Sequence, residues 1–145
     1  DEDPRFGLIA LSEIASRSLS SAINDPGTAI AIIGRFVRLF SLWAEPIEED
    51  DKKSIEFDRV EVSEISLWDM FDDAFTAIAR DGAGTVEVVV RLQKAFESLA
   101  SIGVVSLRDV AIHYARLARI RAENALVAPE DLEVLRKAAK FANPK

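Results

Sequence analysis

The sequence predicts an all-α fold, a bundle of about six helices in one domain. Three observations carry that reading. Apolar residues recur at three- and four-residue spacing in successive segments, most of those segments open on a capping residue or a proline and two of them close on glycine, and most links between them are short. At 145 residues, 49% apolar and 30% charged, with six glycines and five prolines, the chain has the size and composition of one ordinary globular domain.

The first helix is expected from Pro4 to about Ala22, with Phe6, Ile9, Ala10, Ile14 and Leu19 as its inward stripe. The second, Pro26 to Trp43, is apolar nearly all round apart from Arg35 and Arg38 on one side, the pattern of a helix enclosed by others at the centre of the core. Asp25 is its N-cap. Proline disfavours αR angles in the residue before it and suits the first helical position itself, so the Asp25-Pro26 pair starts a helix. Asn24, tolerant of left-handed angles, reverses the chain just before.

From Ala44 to Ser63 the charged cluster Glu48-Glu49-Asp50-Asp51-Lys52-Lys53 precedes Ile55, Phe57, Val60 and Val62. That alternation predicts a solvated loop followed by a short strand or hairpin. The third helix is capped by Ser66 with Asp69 at the capping-box position, buries Leu67, Phe71, Ala74, Phe75 and Ile78, and stops at Gly82-Ala83-Gly84. Thr85 opens a fourth through Ile102 that turns Val89, Leu92, Phe96 and Leu99 inward, although Val88-Val89-Val90 would also suit a strand. Gly103 closes it. The fifth starts on a Ser106 to Asp109 capping box and buries Leu107, Val110, Ala111, Tyr114, Leu117 and Ala118. The sixth begins at Pro129, with Glu130 and Asp131 at its positive end and Arg136, Lys137 and Lys140 towards the other.

Composition narrows the function. The net charge is −7; residues 106–145 hold eight Lys/Arg against five Asp/Glu, a local +3, which leaves −10 on residues 1–105. An acidic body argues against nucleic acid as a partner, since phosphate binding needs a concentrated basic footprint. No cysteine is present, which removes thiolate catalysis and zinc–thiolate sites. Arg35 and Arg38 interrupt the longest apolar stretch, so no membrane span is expected. The start Asp1-Glu2-Asp3-Pro4 reads as a cut inside a longer protein.

Candidate sites are few. Asn24 and Asp25, with Thr28, Arg17 and Glu13, either form a helix corner only or bind a cation or small polar ligand there. Asp69, Asp72 and Asp73 are a possible hard-cation cluster, but acids in early helical turns follow from the helix dipole alone. His113 has no second histidine at i+4 and no cysteine nearby, so no metal site is expected. Arg108, Arg116, Arg119 and Arg121 make a basic stretch that is either a solvated face or a contact for acidic lipid headgroups or for the acidic loop. Trp43 and Trp68 are expected at core edges. No nucleophile-elbow, Walker or dinucleotide fingerprint occurs, so neither catalytic residues nor a cofactor are expected.

The stretch DPRFGLIALSEIASRSLSSAINDPGTA, Asp3 to Ala29, resembles the signature of a bacterial family catalogued as domain of unknown function 2254, described as predicted membrane proteins. The matching residues are Asp3, Pro4, Phe6, Gly7, Ser20, Ile23, Asn24, Asp25, Pro26, Thr28 and Ala29. Ser21 stands where many relatives have proline, and Gly27 where a larger residue is usual. MFDDAFTAIARDGAG is similar to a second family segment through Phe71, Asp72, Ala74, Phe75, Gly82 and Ala83. The resemblance implies a soluble C-terminal region behind membrane helices of the same chain, on the cytoplasmic side of a bacterial inner membrane. It brings no activity. The function expected is therefore an interaction or regulatory domain that self-associates as a homo-oligomer and couples to its own membrane part. The alternative is a small-ligand or ion sensor at the Asn24-Asp25 corner.

Overall fold

The computed structural model describes residues 3–45 and 64–143. The expected strand or hairpin before Ser63 lies outside them. Six α-helices follow in order: α1 (Pro4–Ser18), α2 (Pro26–Ala44), α3 (Glu64–Asp81), α4 (Val86–Ala100), α5 (Val105–Ala125) and α6 (Pro129–Ala138), then a 3-10 turn at Lys140–Ala142. The all-α bundle is as expected, and no strand occurs among the described residues.

Five phenylalanines organise the centre. Phe36 and Phe40 from α2, Phe71 and Phe75 from α3 and Phe96 from α4 are all fully buried. Phe40 and Phe71 lie 4.6 Å apart between ring centroids, Phe75 meets Phe96 edge-on at 4.9 Å, and Phe36 meets Phe75 edge-on at 5.5 Å. Such offset and edge-to-face pairs add about 0.5–1.5 kcal/mol each beyond area burial. Around them α1 packs on α3 and α2, α4 packs on α2, α5 and α6, and α3 packs on α5. Gln93 sits inside the α4–α5 contact and donates from Nε2 to the Ala115 carbonyl at 2.9 Å. The inward stripes read for the third and fourth helices are buried as expected, and Val88-Val89-Val90 is helical.

Helix ends need several corrections. α1 stops at Ser18, not near Ala22, and α4 stops at Ala100, not Ile102. α3 already begins at Glu64, so Ser66 stands within its first turn and is not the N-cap. Ser106 likewise is the second residue of α5. The N-cap there is Val104, which makes no side-chain cap bond, and Arg108 N–H bonds the Val104 carbonyl at 2.9 Å. Both misreadings have one cause: a serine three residues before an acid fits the capping box at whatever turn the helix starts. A cap that the pattern missed is Asp3, whose carboxylate accepts from Arg5 N–H at 3.0 Å.

Two faces were also misassigned. On α1, Leu8, Ser12, Ala15 and Ser18 are buried, whereas Phe6, Ile9 and Ile14 are exposed; of the expected stripe, Leu19 packs against the core. Polar links fix this rotation. The Arg5 guanidinium holds Asp73 on α3 through Nε at 2.6 Å, and further along Ser16 Oγ donates to Asp81. On α2, Ala29, Ile32, Ile33, Phe36 and Phe40 form one buried stripe, but Gly34, Arg35, Arg38, Leu39 and Leu42 behind it face outward. The helix is not enclosed. Taken from Pro26, α2 does reach the length and composition of a membrane span, yet its phenylalanines are part of the protein core.

The α3–α4 turn depends on Gly82. A Cβ there would stand 2.6 Å from Val88 Cγ1 and 2.9 Å from the Ile78 carbonyl oxygen, whereas one at Gly84 would meet nothing within 4 Å. Gly82→Ala should therefore cost about 1–3 kcal/mol in urea unfolding, and Gly84→Ala no more than about 0.5 kcal/mol. Equal midpoints for the two variants would refute this account of the turn.

Candidate functional site

The corner between α1 and α2 is built from backbone turns. Asn24 adopts φ 48°, the left-handed region open to asparagine at modest cost. Its N–H bonds the Ser20 carbonyl at 2.8 Å, and Asp25 N–H reaches back to the Ser18 carbonyl at 2.7 Å. Asp25 then caps α2, accepting from Thr28 N–H at 3.2 Å and from the Thr28 hydroxyl at 2.5 Å. The Thr28 hydroxyl, and after it the Thr28 and Gly27 N–H groups, hold the Asp25 carboxyl below its ordinary range. Both carboxylate oxygens are thus engaged within the corner itself.

Glu13 and Arg17 lie elsewhere. They line an open groove of about 500 Å³ between α1 and α3, together with Ser16, Asp72, Thr76 and Arg80. The five residues expected to act together are therefore divided: Asn24, Asp25 and Thr28 at the corner, Glu13 and Arg17 along the groove. Arg17 borders a second hollow with Ser20 and Asp81, which carries the groove towards the corner.

The groove has both signs of charge. Asp73 and Asp69 are held by Arg5, the latter at 3.5 Å, and Asp72 accepts from the Thr76 hydroxyl at 2.6 Å. Asp81 is held low by Arg80 first and by Ser16 after burial is offset. Beneath lies Ser12, 3% exposed, whose Oγ has no hydrogen-bond partner. Sequence reasoning did not single out Ser12, Ser16, Asp81 or Arg80, because nothing local marks a serine as facing a neighbouring helix. A small molecule with both a cationic and an anionic end suits this lining better than a metal ion. Among the described residues no group of three or more His, Asp or Glu side chains is placed to hold a metal.

Other positions singled out in the sequence have structural partners. His113 is exposed, its ring 4.9 Å from that of Trp68, and Trp68 in turn is half-exposed at the edge of α3. Tyr114 donates to the Trp68 carbonyl at 3.4 Å; burial, then the charges of Asp72 and Asp69, push its pKa up to about 12. In the basic stretch, Arg116 donates from Nε to the Ala142 carbonyl at 2.8 Å, and Arg119 pairs with Glu123, which also takes Arg136. Two of the four arginines there are used to hold the C-terminal part of the bundle.

Fold and site define an all-α domain with an open polar groove beside a hydrogen-bonded helix corner. A family model described as a predicted membrane protein, DUF2254, matches residues 1–98, and the chain belongs to that family. The match covers α1 to α3 and most of α4, the corner and the groove included. No curated protein and no solved structure matches the chain.

The Asp25 cap has a definite pH sign. Its pKa is lowered on folding, so its stabilisation is present above the ordinary carboxylate value and is lost as pH falls through the lower folded value. Asp25→Ala should lower the thermal midpoint by about 2–4 °C at pH 7 and by progressively less below about pH 4. An unchanged gap between the two proteins down to pH 2 would contradict the cap.

Proposed function

We propose that the chain is an interaction or regulatory helical domain of an integral membrane protein, coupled to membrane-spanning helices of the same polypeptide and self-associating. In this reading it is the soluble C-terminal part of the longer protein, on the cytoplasmic side of a bacterial inner membrane. Membership of a predicted membrane protein family supports the setting. The observation that carries the interaction role is the inverted α1. It turns Phe6, 71% exposed, and Ile14, 51% exposed, away from its own core and buries serines in their place. Large apolar side chains left outward on successive turns mark a surface that meets something else.

The reading is tested on the full-length polypeptide and on this chain alone. The full-length protein should sediment with membranes, resist alkaline extraction and expose a C-terminal tag to protease only in inverted vesicles. Light scattering on the chain should give a dimer or larger. Recovery of the full-length protein in the soluble fraction removes the membrane coupling, and a strict monomer at high concentration removes the self-association.

A second reading, small-ligand sensing, is favoured by the unpartnered Ser12 hydroxyl under a groove with both signs of charge. Metals and zwitterionic metabolites would be screened by thermal shift against the unaltered chain, Asn24→Ala and Arg17→Ala. A bound ligand stabilises only proteins with an intact site. Loss of the shift in Asn24→Ala assigns the ligand to the corner, loss in Arg17→Ala alone assigns it to the groove, and no shift with any compound removes the reading.

A further inference from the structure

The outer surface of the α1–α2 hairpin combines features that neither the core nor the groove uses. On α1, Phe6, Ala10 and Ile14 recur every four residues opposite the buried Leu8, Ser12 and Ala15. On α2, Leu39 and Leu42 are 41% and 53% exposed, and Arg35 and Arg38 are exposed beside them. The two helices pack against each other, and both of the faces opposite their buried stripes are exposed. α2 meets the length and composition of a membrane span, yet only 28% of that window is buried.

Charge selects the partner. Arg35 and Arg38 make no ion pair among the described residues. They are the only charged residues within Pro26–Ala44, so the outward side of α2 carries +2, on a chain whose net charge is −7. Arginines interleaved with large apolar side chains on an outward helical face are the pattern of a helix lying in a membrane interface.

We infer that the outer face of the α1–α2 hairpin rests on an anionic lipid bilayer. Phe6, Ile14, Leu39 and Leu42 enter the boundary between headgroups and acyl chains. Arg35 and Arg38 meet lipid phosphates. α2 lies along the surface and does not cross it, because Phe36 and Phe40 on its other side are committed to the core. A second copy of the chain fits this face less well: a two-fold contact would set the same positively charged surface against itself. The inference deepens the membrane-coupling reading by naming the lipid surface as a partner, and it is tested without membrane-spanning helices, so the two can fail separately.

Co-sedimentation of this chain with vesicles is the test. Vesicles containing phosphatidylglycerol should bind it, pure phosphatidylcholine vesicles should bind it at least about tenfold more weakly, and 0.5 M salt should reduce the anionic binding. The double variant Arg35→Glu/Arg38→Glu should lose about tenfold or more in partition, and Phe6→Ser/Ile14→Ser should also weaken it. Circular dichroism should show both variants folded with near-native melting, because the altered residues are exposed. Arg108→Glu/Arg121→Glu on α5 should bind as the unaltered chain does. No binding to anionic vesicles overturns the inference. So does equal binding to both lipids, loss of binding in the α5 variant with retention in the α1–α2 variants, or an α1–α2 variant that changes the oligomeric state and leaves vesicle binding intact.

Discussion

The bundle depends on the packing of Phe75. Its ring lies within 5.5 Å of Phe36, Phe71 and Phe96, so one side chain of α3 is shared by α2 and α4. Interiors are close-packed, and a shared ring fixes the separation of all the elements that touch it. α5 then closes the other side through Leu107, Val110 and Ala111, all buried, and α6 is added through a smaller cluster of Leu135 with Val89, Ala122 and Leu126. The order of dependence runs outward from the aromatic centre. Anything hung on α1, including the groove, is positioned by a scaffold that α1 itself does little to fill.

α1 is accordingly held by different means. Its buried side is made of Leu8 and small residues, with Leu11 and Leu19 partly covered. Small side chains let helices approach closely but contribute little apolar area, roughly 25 cal/mol per Å² removed from water. Polar contacts then decide which way the helix faces. Arg5 on Asp73 is bidentate, with the second bond from the other guanidinium nitrogen at 3.3 Å, and a planar fork of this kind fixes orientation in a way a lysine would not.

This difference explains what could be read from the chain and what could not. α3 and α4 were legible because their stripes are long, bulky and unbroken, so the largest apolar side chains and the buried face coincide. The Asp25-Pro26 start was legible because proline geometry and a short carboxylate act locally. α1 was not: the stripe of its largest apolar residues points outward, and the decisive contacts come from acids far along the chain, on α3. The groove was lost for the same reason. Glu13 and Arg17 follow the face of α1, whereas Asn24 and Asp25 follow the turn, and sequence proximity does not show that the two diverge. Ser66 and Ser106 failed differently, since a capping-box spacing fixes a pattern but not the turn at which the helix begins.

An outward Phe6 and Ile14 have a thermodynamic consequence for the isolated chain. Exposed apolar residues add nothing to folding, and a rotated α1 would bury more area by exchanging Ser12 and Ser18 for them. That exchange would break the Arg5–Asp73 and Ser16–Asp81 links together and leave Asp73, only 13% exposed in its side chain, without its cation. Stranding a largely buried carboxylate is among the more costly single changes a fold can make. The rotation is therefore closed by electrostatics, and the apolar face stays available on the surface. A covering partner can gain the burial that the fold forgoes, and a chain tuned only for stability in water would have no reason to keep it so.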